Sequence, residues 1–158
     1  MEFQRRMIEV FRGDAVLVTP NTGLLFPAWA PQINGDDHRI YEESVELPEN
    51  PDVREALPRI LIGVRPYPAS RDQYGGGAHE GPVRVTIRSV TPKEESELAD
   101  SIDAEVHTLI ASTRFSNARI IAAELVPLGR PSKARIAAFN NAWEITSEFE
   151  CENVAALV

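Results

Sequence analysis

The sequence predicts an α+β domain in which one long helix packs on one face of a mainly antiparallel, four-stranded sheet. Residues 142–153 alternate between apolar and polar side chains, which is typical of a half-buried strand. Residues 91–112 repeat apolar side chains at helical spacing. The predicted elements run strand, strand, helix, strand, strand, an order that favours two hairpin-like pairs flanking a helix. A short N-terminal helix and long loops complete the predicted fold.

Length and charge limit the classes of function. The chain of 158 residues suits a single domain with its own core, which we predict to span 1–158. Within it, residues 14–56 form an irregular, proline-rich insertion and residues 153–158 form a tail. The formal net charge of −8 argues against a protein that grips nucleic acid over a broad surface, because phosphate neutralisation requires clustered lysine and arginine. It is compatible with a protein that DNA passes without binding.

Signals for ligands and targeting are few. Cys151 is the only cysteine, so we expect no internal disulfide, no zinc site and no cofactor. Charges run through the first 14 residues, which argues against a signal peptide. No apolar run approaches the ~18 residues of a membrane span, so we expect a soluble, cytoplasmic protein without a membrane partner.

Short helices and strands are predicted in the N-terminal third of the chain. Residues 2–12 form an amphipathic helix that ends near Gly13, because apolar residues recur at i, i+4, i+7 and i+8. Short strands are predicted at 15–18 and 39–47, and one helical turn is predicted at 50–57.

Four segments are predicted to build the sheet, and two loops interrupt them. The predicted strands are 59–64, 82–90, 118–126 and 139–152. A glycine-rich loop with "YGGGAHEG" spans 65–81, and a basic, proline-containing loop spans 127–135.

The long helix is predicted to begin at a capping box. Thr91 serves as N-cap, Pro92 takes the first helical position, and Glu94 completes the box. The apolar stripe that faces the sheet consists of Leu98, Ile102, Val106, Leu109 and Ile110.

One face of the last strand carries a line of acids that we name the glutamate column: Glu144, Glu148, Glu150 and Glu152. Residues i and i+2 of a strand lie about 6.5–7 Å apart, which permits an acid–base carboxylate pair. A regular strand holds carboxylates in a line and not around a point, which disfavours a metal site. We therefore favour a charged outer face over a catalytic or metal-binding site.

Arg84 and Arg88 are the candidate partners of the glutamate column. If strand 82–90 lies beside strand 142–152, the two arginines oppose two glutamates as cross-strand ion pairs that fix the register. The acids outnumber these bases, so a net negative face remains.

No pattern of residues points to an enzyme. His38, His79 and His107 are far apart in the sequence and match no metal-ligand spacing. The "GGGAHEG" segment lacks the ending of a phosphate-binding loop, and no triad signature is present. We interpret His107 as a hydrogen-bonded residue at the edge of the helix stripe, and Cys151 as a core residue.

The C-terminal block has a characteristic order of elements. "LPRILIGV" precedes the glycine-bearing loop, and "GPVRVTIRSVTPKEESELADSIDAEVHTLI" joins a strand to an acidic helix. "RIIAAELVP" and "AWEITSEFECE" then close the sheet. With the short N-terminal helix, this order resembles the tail-terminator (tail-completion) proteins of long-tailed bacteriophages. The resemblance covers about residues 2–13 and 57–152.

The resemblance implies a structural virion protein without enzymatic activity. Such proteins form rings, typically of six subunits, that cap the tail tube, stop its elongation and present the surface that joins the head. The implied partners are further copies of the chain, the tail-tube protein and the head–tail connector protein, with DNA passing through as cargo. The implied location is the virion tail, reached by assembly in the host cytoplasm.

The glutamate column then has two interpretations. If it borders the channel, its carboxylates repel phosphate and DNA slides without binding. If it faces another subunit, arginines and their neighbours neutralise it. Three rival functions stay open: a head–tail connector or head-closure protein, a small enzyme that uses two of these carboxylates, and an adaptor that binds through "YGGGAHEG".

The remaining predicted interface residues lie in two loops that are long enough to reach a partner. The first set, from the loop at 65–81, is Tyr74, Gly76 and His79. The second set, from the loop at 127–138, is Arg130, Lys133 and Arg135, a basic cluster suited to an acidic partner. The glutamate column supplies the predicted channel-lining or mating-face acids.

Overall fold

A seven-stranded sheet forms the centre of the computed structural model, which describes residues 2–30, 38–44, 56–66, 79–116, 120–122 and 124–156. The helices of these residues are α1 (Glu2–Arg12), α2 (Ala15–Val18), α3 (Ser96–Ser112) and α4 (Ala138–Asn141). The strands are β1 (Ile40–Glu42), β2 (Arg59–Pro66), β3 (His79–Thr91), β4 (Ile120–Ala122), β5 (Leu125–Pro127), β6 (Ser132–Arg135) and β7 (Trp143–Ala156).

The sheet order is β1-β2-β3-β7-β4, and β5 and β6 also pair with β7. β1 runs parallel to β2, whereas the other pairs are antiparallel. The two long strands β3 and β7 are neighbours, which is the condition on which the predicted ion pairs depended, in a register that sets Val85 opposite Phe149. The sheet is consistent with the predicted α+β class. The sheet is mixed, and it has more strands than the four predicted, because short strands extend both of its edges.

Two helices cover one face of the sheet, which we name the inner face. α1 lies over β1 and β2, and α3 lies over β3 and β7. The helix predicted at 2–12 is therefore confirmed in its bounds. Buried side chains of both helices and of the strands form one core, which includes Phe3, Met7, Phe11, Ile60, Ile62, Val85, Ile87, Ile102, Val106 and Phe149. Removal of this apolar surface from water is the main force that holds the helices on the sheet.

Residues 14–30 pack into the same core, although they were expected to be irregular. The strand predicted at 15–18 is wrong, because these residues form α2. Leu17, Leu25 and Phe26 are buried, and the amide of Leu25 donates to the carbonyl of Leu17 at 3.0 Å. Four consecutive apolar residues do not distinguish a buried helical turn from a strand.

The two other elements predicted in this region fall partly outside the described residues. Of the strand predicted at 39–47, Ile40–Glu42 form β1, and residues 45–47 are not described. Residues 50–55 of the predicted helical turn lie outside the described residues as well.

The long helix begins later than the capping box predicted. Thr91 is the last residue of β3 and pairs with β7, so it is not available as an N-cap. The chain then makes a turn in which the amide of Glu95 donates to the carbonyl of Pro92 at 2.9 Å. The Thr91 hydroxyl donates to the carbonyl of Glu95 at 2.9 Å, and α3 starts at Ser96. Hydrogen bonding within the sheet thus prevails over a local capping signal.

Several corrections concern the edge beside β7. The single strand predicted at 118–126 is replaced by β4 and β5, which pair with successive parts of β7. The segment 127–135, predicted as a loop, contains β6, whose four residues are all exposed. An exposed polar edge strand shows no alternation, which explains the error. β7 itself continues to Ala156, so residues 153–156 belong to the strand and not to the predicted tail.

A second, smaller apolar cluster covers the other face at one end of the sheet. It contains Ala56, Leu57, Val90, Phe139 and Ala142. The chain reaches this cluster through α4, where Phe139, Asn140 and Asn141 adopt left-handed φ angles of 52°, 58° and 65°. The strand predicted to start at 139 therefore begins at Trp143.

Candidate interaction surface on the sheet

The face opposite α1 and α3, which we name the outer face, carries the glutamate column. Four rows of residues cross this face from β2 through β3 to β7, and the last of them is Arg59, Val90 and Glu144, with Ala134 of β6 beyond them. The first row is Arg65, Arg84 and Glu150, with Val126 of β5 beyond them. The second row is Gly63, Thr86 and Glu148. The third row is Leu61, Arg88 and Thr146, with Ser132 of β6 beyond them. Positive charge therefore lies on β2 and β3, and negative charge lies on β7.

The alternation predicted for β7 is confirmed. Phe149 is fully buried on the inner face. On the outer face, Glu148 is exposed, and Glu144 and Glu150 are half-buried. The side chain of Glu152 lies outside the described residues. The column is thus a line of carboxylates along one strand.

The prediction that Arg84 and Arg88 each lie opposite a glutamate is correct for Arg84 and wrong for Arg88. Arg84 lies directly opposite Glu150 in the register of β3 and β7. Arg88 lies opposite Thr146, because residue 146 interrupts the acids of the column. Its guanidinium instead lies beside Glu43, with 3.6 Å between Nη2 and Oε1.

Glu43, which the sequence analysis missed, bridges the arginines of the outer face. Its Oε1 atom lies 3.0 Å from Nη2 of Arg65, in addition to the contact with Arg88. The carboxylate lies over Gly63, where the Cβ atom of any other residue would overlap it. A glycine inside a strand is the one sequence signal for such a close approach.

The ion pairs found on the outer face lie on the side of β2 and β3. The ion pairs of the outer face join Glu43 to Arg65 and Arg88, and none of those found among the described residues involves Glu144, Glu148 or Glu150. Glu43 therefore compensates the charges of Arg65 and Arg88. Acids such as those of β7 repel phosphate and attract cationic side chains of another protein.

The basic residues predicted as a second interface set are partly engaged within the chain. Nζ of Lys133 lies 3.0 Å from each carboxylate oxygen of Asp100 and 5.2 Å from the ring centre of Trp143. The guanidinium of Arg135 lies 4.7 Å from the same ring centre. These contacts hold β6 against α3 and β7. Arg130 is exposed at the turn before β6.

The first interface set is mostly beyond the described residues. Tyr74 and Gly76 lie outside them. His79 is the first residue of β3 and pairs with Ala155 of β7, and its side chain is not described. These three assignments stay predictions.

A serine, a histidine and an aspartate meet between α3 and β7. The Ser147 hydroxyl donates to Oδ1 of Asp103 at 2.6 Å, and Nε2 of His107 lies 3.0 Å from the Ser147 oxygen. The same Nε2 atom lies 3.6 Å from Oδ2 of Asp103. In a hydrolytic triad the carboxylate and the serine contact opposite nitrogens of the ring. Here Ser147 and Asp103 both contact the Nε2 atom of His107, and Ser147 is only 2% exposed. These three side chains therefore connect α3 to β7.

A carboxyl pair joins α3 to the start of α2. Burial raises the pKa of Glu105 to about 7, and a hydrogen bond and charge repulsion from Asp14 add to the increase. The folded protein therefore favours a proton on this pair at pH values where an isolated glutamate has lost it.

This pair predicts a pH-dependent stability. Because the folded state binds the proton more tightly, the contribution is present below about pH 4.5 and is lost as the pH rises to about 7. We expect the pair to lower the free energy of unfolding by on the order of 1 kcal/mol between these limits, allowing for solvent screening. Glu105→Gln removes this change, as urea unfolding at about pH 5 and pH 8 will measure. Glu97→Gln is the control, because it makes the same substitution at an exposed position of α3. An unchanged pH profile in the Glu105→Gln variant contradicts the role of the pair.

No metal or membrane site emerges from the described ranges. They contain no group of three or more histidine, cysteine, aspartate or glutamate side chains able to hold a metal ion. None of the helices found in them is long and apolar enough to cross a bilayer. An open groove of about 350 Å³ lies between α1 and β1, lined by Arg5, Ile8, Glu9, Arg12, Tyr41 and Glu42.

Comparison with known proteins bears on the fold. No protein-family model matches the sequence, and no curated protein matches it. Among solved structures, the chain is similar to a chain of the virion of a native gene transfer agent (GTA) particle. The TM-score is 0.64 at 17% sequence identity, and the match covers 96% of this chain and 94% of that chain. At this identity the similarity shows a shared fold over nearly the full length of both chains.

Proposed function

We propose that the protein is a structural component of a phage-like virion, a tail terminator whose ring caps the tail tube. The observation that carries this proposal is the fold shared over 96% of the chain with a chain of a GTA virion. The resemblance in element order to tail-terminator proteins supports the same role. Under this proposal the protein acts in the virion tail after assembly in the host cytoplasm.

The proposed ring contains six subunits, stops elongation of the tube and presents the surface that joins the head. Its partners are further copies of the chain, the tail-tube protein and the head–tail connector protein. DNA passes through as cargo. Head-to-tail association of identical subunits closes into a ring when each subunit carries two different contact patches. The two edges of the sheet differ in this way, because β1 forms one edge and β4, β5 and β6 form the other.

We propose a non-enzymatic role. The distances among Ser147, His107 and Asp103 do not fit a hydrolytic triad, and this supports a non-enzymatic role. The acids of β7 lie in a line on an outer face and not around an enclosed cleft, whereas glycoside hydrolysis requires two carboxylates that flank a substrate bond.

Of the two interpretations of the glutamate column, a charge reversal tests the one in which the column borders the channel of the ring. Replacing Glu144 and Glu148 together with lysine gives the face a positive charge, so we expect normal ring assembly and slowed passage of DNA. The measurement is the rate of DNA release from assembled particles, with particle yield recorded in parallel. Glu94→Lys and Glu97→Lys together make the matched control, because both residues are exposed and the change in net charge is equal. Failure of ring assembly in the first variant alone instead places the column at a contact between proteins.

A head–tail connector or head-closure protein is the second candidate, because a shared fold with a virion chain fits more than one position in the particle. Adding the purified chain to growing tail tubes separates the two. A terminator binds one end of each tube and stops its growth. Binding to the portal or connector assembly, with no effect on tube length, supports the second candidate.

A further inference from the structure

The sheet edge formed by β6 presents backbone groups that can pair with a further strand. The amide of Ile136 donates to the carbonyl of Ala142 at 2.9 Å, and hydrogen-bonded pairs alternate along two antiparallel strands. The backbone groups of Lys133 and Arg135 therefore point away from β7. All four residues of β6 are exposed. Such groups at a sheet edge are a template for pairing with another chain.

The opposite edge, formed by β1, presents the backbone of Glu42. The amide of Glu43 donates to the carbonyl of Ile62 at 3.0 Å, so the backbone groups of Glu42 point away from β2. Two residues earlier, the carbonyl of Ile40 accepts a hydrogen bond from the guanidinium of Arg12 at 2.8 Å. Arg12 thus covers the edge at Ile40 and leaves it accessible at Glu42.

The strand directions allow β1 of one copy to pair with β6 of the next. β1 is parallel to β2, and each further step through β3 and β7 to β6 reverses the direction. Three reversals leave β1 and β6 antiparallel to each other. When a rotation about an axis roughly along the strands relates two copies, β6 of one copy meets β1 of the next as an antiparallel pair. Every copy then turns the same face of its sheet to the axis.

The side chains of Glu42 and Arg135 lie on the same face at the two edges. Glu42 is in register with the buried Ile62 and lines the groove beside α1, which places it on the inner face. Arg135 lies on the inner face too, because Lys133, two positions earlier in β6, contacts Asp100 of α3. Pairing of the two edges can therefore bring the two side chains together.

Glu42 and Arg135 are complementary in charge. The ion pairs found among the described residues include neither of them. The guanidinium of Arg135 contacts the ring of Trp143, a contact that does not neutralise its charge. Lys133, by contrast, is compensated by Asp100. Opposite charges directly across two antiparallel strands stabilise their pairing.

We propose that β1 of each copy pairs with β6 of the next copy, in the register that sets Glu42 opposite Arg135. This contact rests on the ring proposed above and specifies the two edges that close it. The side chain of Arg135 then lies at the groove beside α1, which has a volume of about 350 Å³. Ile40 falls opposite residue 137, beyond the end of β6, so its hydrogen bond with Arg12 is kept.

The same register is compatible with a closed ring. Within one sheet, Lys133 and Ile40 lie in one row, whereas the proposed register sets Lys133 opposite Ser44 of the next copy. An offset of four residues is about 13 Å, and five strands span about 24 Å, so the strands tilt by about 30° from the ring axis. Closed barrels typically have tilts of about 35–45°.

Charge reversals test the contact, with native mass spectrometry at about 0.05 M salt as the readout. Glu42→Arg and Arg135→Glu each place like charges at every contact, so each is expected to reduce the six-copy species at least tenfold. An equimolar mixture of the two variants restores this species, because alternating copies place opposite charges at every contact. The chain with both reversals restores it as well. Glu97→Arg and Arg114→Glu, at exposed positions away from both edges, are the matched controls and are expected to leave the species unchanged.

The mixture separates contacts between copies from effects within one chain. Arg135→Glu also removes the contact with Trp143, which mixing cannot restore, and circular dichroism verifies that each variant is folded. Loss in both single variants and recovery in the mixture support the pairing. A six-copy species that persists in the single variants, or that does not return in the mixture, overturns the pairing and leaves the ring of the unchanged protein in place. Absence of that species in the unchanged protein contradicts the ring itself, and the pairing with it.

Discussion

Replacing Phe149 with alanine is expected to lower the free energy of unfolding by about 3–5 kcal/mol. Phe149 is fully buried at the centre of the inner face, on the strand that pairs with four other strands. Its ring lies 5.0 Å from the ring of His107, so it also supports the helix above the sheet. Removal of the ring leaves a cavity under α3 that the rigid strand pair β3 and β7 cannot fill.

Urea unfolding of the variant and of its neighbour Glu148→Ala measures this effect. Glu148 is exposed on the other face of the same strand, so we expect its replacement to change the free energy of unfolding by about 0.5 kcal/mol or less. Both substitutions truncate a side chain of β7 to alanine, one on the buried face and one on the exposed face. Equal losses of stability would show that β7 does not have the described orientation.

Replacing Gly23 with alanine is expected to destabilise the fold by about 2–3 kcal/mol. A Cβ atom at this position would lie 2.5 Å from the carbonyl oxygen of Leu17 and 2.7 Å from the amide nitrogen of Thr19. Both are backbone atoms that cannot rotate away. The segment has to move as a whole, and it carries Leu25 and Phe26 into the core. The substitution therefore disturbs both the turn and the packing of the core beneath α1 and α3.

Gly13→Ala is the matched control for Gly23. A Cβ atom at Gly13 would lie 3.5 Å from the nearest backbone oxygen, an ordinary contact distance. We expect this variant to unfold within about 0.5 kcal/mol of the unchanged protein. Thermal unfolding of the two variants gives the comparison. A Gly23 variant as stable as the Gly13 variant would mean that the turn after α2 is not as tightly packed as described.

The elements that sequence reasoning predicted correctly are those with strong periodicity. Residues 83–88 of β3 and 145–151 of β7 alternate strictly in burial, because one face of each strand lies on the core and the other does not. α1 repeats its apolar residues at helical spacing and was bounded correctly. β6 escaped prediction because an exposed edge strand buries neither face. The start of α3 was misplaced because Thr91 is used by the sheet, a requirement that no local pattern reveals.

The candidate surface was predictable in part. The side of β7 that carries the acids follows from alternation alone, whereas the position of Arg84 opposite Glu150 was predicted only on the condition that β3 and β7 are neighbours. Neutralisation of Arg65 and Arg88 by Glu43 was not predictable, because the sequence does not show where the short strand predicted at 39–47 lies in the sheet, and Glu43 is 22 residues from Arg65 in the chain. On the outer face, the basic residues lie on β2 and β3 and the acids lie on β7. This arrangement depends on which strands pair and in which register, and a local sequence pattern does not show either.

Native mass spectrometry across a concentration series tests the proposed ring most directly. Six copies of the 17.5 kDa chain form a species of about 105 kDa, which we predict to appear as a discrete assembly. Monomers alone, at every concentration, would contradict the ring.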